Sequence, residues 1–121
     1  MSKVAVITGV SAGIGAALAG LCLKKGYTVY GISRRPAEAE GLRHIAADVT
    51  DEEAVLAAFS QIYEREGKID LLMLNAGMGI SGAVEFTELE DARRQMDVNF
   101  FGSFLCARAA IPYMRKAGCG R

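Results

Sequence analysis

Apolar positions along the chain fall into two alternating kinds of run. Short continuous runs occur at Val4-Ala5-Val6-Ile7, at Tyr27-Thr28-Val29-Tyr30-Gly31-Ile32, and at residues 69–74, where Asp70 is the one polar interruption. Runs of this length and β-branched or aromatic content predict strands, and the last predicts a strand covered on both faces. Residues 42–47 make a shorter third strand that ends at Asp48. Between these runs, apolar residues return at helical spacing. Ile14, Leu18, Leu21 and Cys22 form one stripe, closed by Lys24, Lys25 and Gly26. Val55, Ala58, Phe59 and Ile62 form a second, ending near Gly67, with Thr50 and Glu53 at capping-box spacing before it. Thr87 and Glu90 repeat that spacing ahead of a helix around Asp91. A last helix, from about Asn99 to Lys116, carries Phe101, Phe104, Leu105 and Arg108 at helical intervals. Pro112 lies inside it and predicts a bend, because proline leaves the carbonyl four residues back without its donor. Residues 33–41, with Pro36, read as a loop with room for one helical turn, and residues 79–82 as a flexible loop.

Strands alternating with helices imply βαβ units, and so a parallel sheet with right-handed crossovers and helices on both faces. Four strands are predicted, where a complete dinucleotide-binding fold has about six. The stretch Thr8-Gly9-Val10-Ser11-Ala12-Gly13-Ile14-Gly15 directly follows the first of them. Glycines there remove side chains where a bulky group must approach the backbone, and they permit positive φ. A helix opening at about Gly13 aims free N–H groups and a positive dipole end at the same spot. Together these make an anion cradle suited to a pyrophosphate. Glycine loops also serve as plain strand–helix turns, so other residues have to decide.

Composition narrows the class. The length, 121 residues, suits one domain, and no repeat, linker or low-complexity segment divides it. Fourteen basic against fourteen acidic side chains leave no net charge to favour nucleic acid or an anionic membrane. The apolar runs fall short of a membrane span. The N-terminus carries one Lys3, runs straight into a strand and shows no small-residue cleavage site, so no signal peptide is expected. Three cysteines, Cys22, Cys106 and Cys119, are an odd count without paired spacing, which suits a reducing compartment. The expectation is a cytoplasmic protein. His44 is the single histidine, with no Cys or carboxylate cluster at ligand spacing, so neither a metal site nor a Ser-His-Asp triad is expected.

The glycine spacing Thr-Gly-x-x-x-Gly-x-Gly, Asn75-Ala76-Gly77 after the fourth strand, and Val98-Asn99 opening a later helix resemble the short-chain dehydrogenase/reductase family. The motifs run from residue 8 to residue 102, and the resemblance covers only the N-terminal, cofactor-binding half of the family's usual domain. Residues 75–102 resemble the hydroxysteroid and retinol dehydrogenase branch. The resemblance implies a Rossmann-like sheet in the order 3-2-1-4, truncated to about four strands, and a single NAD(P)-binding domain over residues 1–121 that is incomplete at its C-terminus. It implies further that Gly9, Gly13, Ile14 and Gly15 line the pyrophosphate, with Ser11 offering a hydroxyl. Thr8 belongs to the same cofactor loop, Asp48 and Val49 flank the adenine, and Asn75, Ala76 and Gly77 shape the wall towards the ribose. Asn99 matches the family's catalytic asparagine, which orders a water chain towards the active-site lysine. From the residues alone, Thr8 equally serves as a tie between strand ends, Asn75 as a strand terminator and Asn99 as a helix cap.

Cofactor choice turns on the end of the second strand, where an acidic residue would bond the adenosine 2′-hydroxyl and select NAD. Here Ser33-Arg34-Arg35 stands in its place, and the nearest acid is Glu38. Two guanidiniums hold a 2′-phosphate through charge-assisted bonds, so NADP(H) is expected over NAD(H). Position 12 is Ala, where many NADP-using relatives carry a second basic residue. The family's proton donor is a tyrosine followed four residues later by lysine, helped by an upstream serine. Tyr27 is followed at that interval by Gly31, Tyr30 by Arg34, Tyr63 by Gly67 and Tyr113 by Ala117, so none of the four qualifies. The reading is therefore the NADP(H)-binding part of an oxidoreductase that moves a hydride reversibly between nicotinamide and a carbonyl or secondary alcohol. As an isolated chain it is expected to be inactive. The other readings are a nucleotide-binding or interaction module without turnover, or a nonfunctional fragment. A chain ending at Arg121 is also expected to leave the fourth strand as a bare apolar edge, which favours homo-oligomers.

Overall fold

Every residue of the first strand, β1 (Val4–Thr8), is buried, which places it at the centre of the sheet. The computed structural model describes residues 2–121. After β1 come α1 (Gly13–Lys24), β2 (Thr28–Ser33), β3 (Arg43–Ala46), α2 (Glu52–Glu66) and β4 (Leu71–Met73). A single 3₁₀ turn (Val84–Phe86) then leads to α3 (Leu89–Met96), a wider π-helical turn (Asp97–Gly102) and α4 (Ser103–Ala117). All strand pairs are parallel and the order is β3-β2-β1-β4, the Rossmann-like arrangement.

Alternation along β1 and β2 sends side chains into two separate cores, the expected result when helices cover both faces. Val4, Val6, Tyr30 and Ile32 meet Val55, Phe59 and Ile62 of α2 and Cys106, Ala109 and Ala110 of α4. Ala5, Ile7 and Val29 meet Ala19 and Cys22 of α1, with Val10 closing the top. Tyr63 of α2 stacks on Tyr113 of α4 with ring centroids 4.3 Å apart. Asp70, the polar interruption before β4, accepts the Val4 N–H on Oδ2 at 2.7 Å, so it ties β4 to β1.

Several expected details change in three dimensions. Ile14 is 72% exposed and Leu21 is half exposed, so α1 docks through its small residues, Gly15, Ala19 and Cys22. Thr50 does not cap α2. Asp48 Oδ1 takes both its N–H and its hydroxyl proton, and Asp51 accepts the Ala54 N–H as the cap instead. Thr87 likewise donates to the Ala83 carbonyl, and α3 starts behind Glu88 without a side-chain cap. No helical turn forms among residues 34–42. Gly67 does close α2, in the left-handed conformation expected for that position. On α4 the aromatic side is outside: Phe104 is 49% exposed, and Cys106, Ala109 and Ala110 are the buried face. The helix runs on through Pro112 to Ala117.

The outer edge of β4 is not bare along its whole length. Arg121 N–H donates to the Asp70 carbonyl at 3.0 Å, and the Leu72 N–H donates to the Arg121 carbonyl at 2.8 Å. That is one parallel step of strand pairing beyond β4. Leu71, Leu72 and Met73 nevertheless remain only half-buried, unlike any residue of β1.

Candidate functional site

Because all four strands run the same way, the loops leaving their carboxyl ends gather at one edge of the sheet. They enclose a cleft of about 240 Å³. Its wall takes Gly9 and Ser11 from the loop after β1, Ser33, Arg34 and Arg35 from the end of β2, and Asp48 and Val49 from beyond β3. Ala76, Gly77 and Met78 follow from beyond β4. Ile32, Ala47 and Val98 complete it. Ile32, Ala47 and Met78 were given no site role from sequence, although each adjoins a residue that was, and Val98 entered only through the Val98-Asn99 motif. Thr8, Gly15, Asn75 and Asn99 stand behind the wall as supports, and Gly13 and Ile14 are exposed at the start of α1.

The glycines of the first loop have different reasons. At Gly9 (φ 74°), a Cβ would lie 2.9 Å from the Ala76 Cα and 3.0 Å from the Asn75 amide nitrogen. At Gly15 a Cβ would overlap the Gly9 carbonyl. Both are required by the chain's own close packing rather than by a ligand. Gly13 (φ 59°) is the opposite case, with open space where its Cβ would point. Thr8 is buried and its Oγ1 accepts the N–H groups of Asn75 and Ala76, each at 3.0 Å. Asn75 returns the tie by donating its side-chain N–H to the Gly9 carbonyl at 3.1 Å. These bonds lock the loops after β1 and β4 together beneath the cleft.

Two helix ends contrast. The α2 N-terminus is satisfied by Asp51, with Glu52 and Glu53 in its first turn. The α1 N-terminus has Ala12 at its cap, no side-chain bond to it and no acid in its first turn. Its free N–H groups therefore remain available to an anion.

On the far wall, Arg34 and Arg35 are exposed, and among the described residues neither forms an ion pair. Burial acts to raise the Asp48 carboxyl. The N–H and hydroxyl bonds from Thr50 and the positive charges of Arg34 and Arg94 outweigh it, holding Asp48 below the usual carboxylate range. Ser33 is fixed on several sides. Its carbonyl accepts the Ala47 N–H at 3.2 Å, its hydroxyl donates to the Arg35 carbonyl at 2.6 Å, and His44 Nε2 lies 2.8 Å from its Oγ.

Asn99 lies inside the π-helical turn, not at a helix start, so it is not a cap. Its amide clasps the backbone of Met78, accepting the N–H on Oδ1 and donating Nδ2–H to the carbonyl, both at 2.7 Å. One turn earlier, Gln95 Oε1 accepts the Ile80 N–H at 2.9 Å. Gln95 was missed from sequence because a glutamine on a polar helix carries no spacing signal. Gly102 closes the same turn, and a Cβ there would lie 2.6 Å from Val49 Cγ2.

A sequence profile for short chain dehydrogenases matches residues 3–121. The chain belongs to that family. It is 42% identical over 120 residues to the 3-ketodihydrosphingosine reductase of Bacteroides thetaiotaomicron, an alignment covering 98% of this chain and 45% of that protein. Its fold superimposes on the ligand-free aldohexose dehydrogenase of Thermoplasma acidophilum with a TM-score of 0.91 and 37% identity, covering 95% of this chain and 45% of the other. ElxO solved with NADP bound gives a TM-score of 0.92 at 31% identity, covering 99% and 53%. The chain spans about half the length of the curated relatives it matches. Short-chain dehydrogenases bind NAD(P), and the site here fits such a group. It offers two arginines outside any ion pair in the cleft wall, among the described residues. At the start of α1, which follows the lining residues Gly9 and Ser11 in the chain, it offers an uncapped helix N-terminus and an open glycine face.

Proposed function

We propose that residues 1–121 are the NADP(H)-binding part of a short-chain dehydrogenase/reductase. The whole protein would move a hydride reversibly between the nicotinamide and a carbonyl or secondary alcohol. The observation that carries the cofactor choice is the pair Arg34 and Arg35, exposed in the cleft wall and in no ion pair among the described residues, with Asp48 of the same wall feeling the Arg34 charge without pairing to it. Two free guanidiniums suit a 2′-phosphate, whereas the ribose of NAD calls for an acid that this position lacks.

In this reading Gly9, Ser11, Gly13, Ile14 and Gly15 present backbone N–H groups and a hydroxyl to the pyrophosphate, with Thr8 supporting the loop from below. Arg34 and Arg35 hold the 2′-phosphate with Ser33 fixing the strand end behind them, Asp48 and Val49 bracket the adenine, and Asn75, Ala76 and Gly77 form the ribose wall. The cofactor supplies the hydride chemistry. Asn99 acts on the chain itself, pinning Met78 and so the floor under the reacting end. Proton transfer to the substrate oxygen needs a tyrosine–lysine pair that none of the four tyrosines provides, so residues 1–121 alone are expected to bind without turnover. We place the protein in the cytoplasm, as a homo-oligomer. Titrating NADP⁺ and NAD⁺ against the protein tests the reading, which fails if the two bind equally tightly.

A further inference from the structure

His44 makes a contact that the roles above leave unused. It registers with Gly31 in the β2–β3 pairing, and Ser33 lies two positions along β2, hence on the same face of the sheet. The register sets His44 diagonally across from Ser33 on the neighbouring strand, with Nε2 2.8 Å from Oγ, while the space over Gly31 itself is filled by the Val10 side chain, which a Cβ there would meet at 2.5 Å. The hydroxyl has one proton, and that proton is committed to the Arg35 carbonyl at 2.6 Å. Ser33 must therefore accept from His44, which fixes Nε2 as the protonated nitrogen.

The result is a directed chain, from His44 Nε2–H to Ser33 Oγ, and from Ser33 Oγ–H to the Arg35 carbonyl. It spans the turn in which Arg34 and Arg35 leave β2. The backbone before that turn is held on both sides, by Gly9 N–H on the Ile32 carbonyl at 2.8 Å and Ala47 N–H on the Ser33 carbonyl at 3.2 Å. Beyond Ser33, its hydroxyl is the one side-chain group, among the described residues, that bonds the backbone of the turn. Geometry so constrained sets where the two arginine side chains leave the backbone, and a turn held in place before the ligand arrives binds more tightly than one that must be ordered.

We infer that His44 is a positioning residue for selection of the 2′-phosphate, acting through Ser33 on the arginine turn. This rests on the NADP(H) reading above. The affinity for NADP⁺ should depend on His44, and the affinity for NAD⁺, which makes no demand on the arginines, should not.

The test is calorimetric titration of NADP⁺ and NAD⁺ against the wild type, His44→Leu and His44→Gln, with thermal melts of each. His44→Leu should weaken NADP⁺ about three- to tenfold while leaving NAD⁺ unchanged. His44→Gln, whose amide N–H can reach the same oxygen, should restore the wild-type ratio. Should His44→Leu not fold, His44→Asn, whose shorter amide falls short of the Ser33 oxygen, is titrated in its place with the same ratio expected, and ¹⁵N shifts of the wild-type imidazole check that Nε2 carries the proton the chain requires. A wild type that prefers NADP⁺ with an unaltered ratio in His44→Leu overturns the role of His44 alone. So does an equal loss of both cofactors, or an unprotonated Nε2. A wild type with no preference between the cofactors overturns the NADP(H) reading and this inference with it.

Discussion

Asn99 and Met78 are joined by two hydrogen bonds of 2.7 Å each, one in either direction between the side-chain amide and the Met78 backbone. The π-helical turn makes this possible, because it widens the helix where Asn99 has to face the strand end rather than the next turn of its own helix. Asn99→Ala removes both bonds from a loop that has few others. It should lower stability by about 1–2 kcal/mol and raise amide exchange at Met78. Asn99→Asp keeps the acceptor but sets a negative charge against the Met78 carbonyl, and should be no better than Ala. Urea midpoints equal to wild type for both variants would show that the clasp does not hold the loop.

Gly15 and Gly13 make a paired test, since sequence treats them alike and structure does not. Gly15→Ala forces a methyl group into the Gly9 carbonyl, against backbone that Asn75 and Thr8 already hold. A loss of about 3 kcal/mol or more is expected, at the upper end for overpacking. Gly13→Ala meets no neighbour and bears only the strain of φ 59°, about 1–2 kcal/mol. Denaturation of the two variants side by side should rank them in that order, and the reverse ranking would contradict the loop geometry.

Arg34→Ala should weaken NADP⁺ binding about ten- to a hundredfold, the loss expected of a charge-assisted bond of about 1.5–3 kcal/mol. NAD⁺ binding should stay near wild type. The difference should shrink as salt rises, because the arginines are exposed. Fluorescence titration at two ionic strengths checks both parts, and an effect that salt leaves untouched would speak against a phosphate contact.

Asp48 gives a pH dependence whose sign follows from its depressed value. The folded protein favours the charged carboxylate more than the unfolded chain does. The stability so gained is present in full above the unfolded value, and it is lost as pH falls through the lower folded one. Asp48→Asn should therefore be less stable than wild type at neutral pH, with the gap closing in acid. Urea unfolding from about pH 6 to about pH 2 covers that window. A gap that widens in acid would reverse the assignment.

Phe104 and Ile111 line one hollow on α4, and Leu89, Met96 and Phe101 line another on α3 and the π-helical turn; all five are large apolar side chains exposed by about half or more. Exposed apolar patches favour association. Sedimentation at several concentrations should show dimers or larger species, and Phe104→Lys should shift the distribution towards monomer. A wild type that sediments as monomer throughout would remove the homo-oligomer from the reading.

The sequence by itself determined the alternation of strands and helices, the parallel sheet and the uncapped glycine loop, because these rest on local periodicity and on residues that only one conformation suits. Gly67 and the apolar run of β1 from Val4 to Ile7 are legible for that reason. Partner choice needed the tertiary structure. Periodicity shows that α1 and α4 each have apolar stripes, but not that Ala19 and Cys22 face the sheet while Ile14 and Phe104 face outward; that depends on how closely each helix must approach. Thr50 had the right spacing to cap α2, but its hydroxyl donates to the Asp48 carboxylate and Asp51 takes the cap. Gly15 carries no mark of the Gly9 carbonyl above it, nor β4 of the Arg121 backbone beside it. His44 and Ser33 are eleven residues apart, and only the register of β3 on β2 brings the imidazole to the hydroxyl.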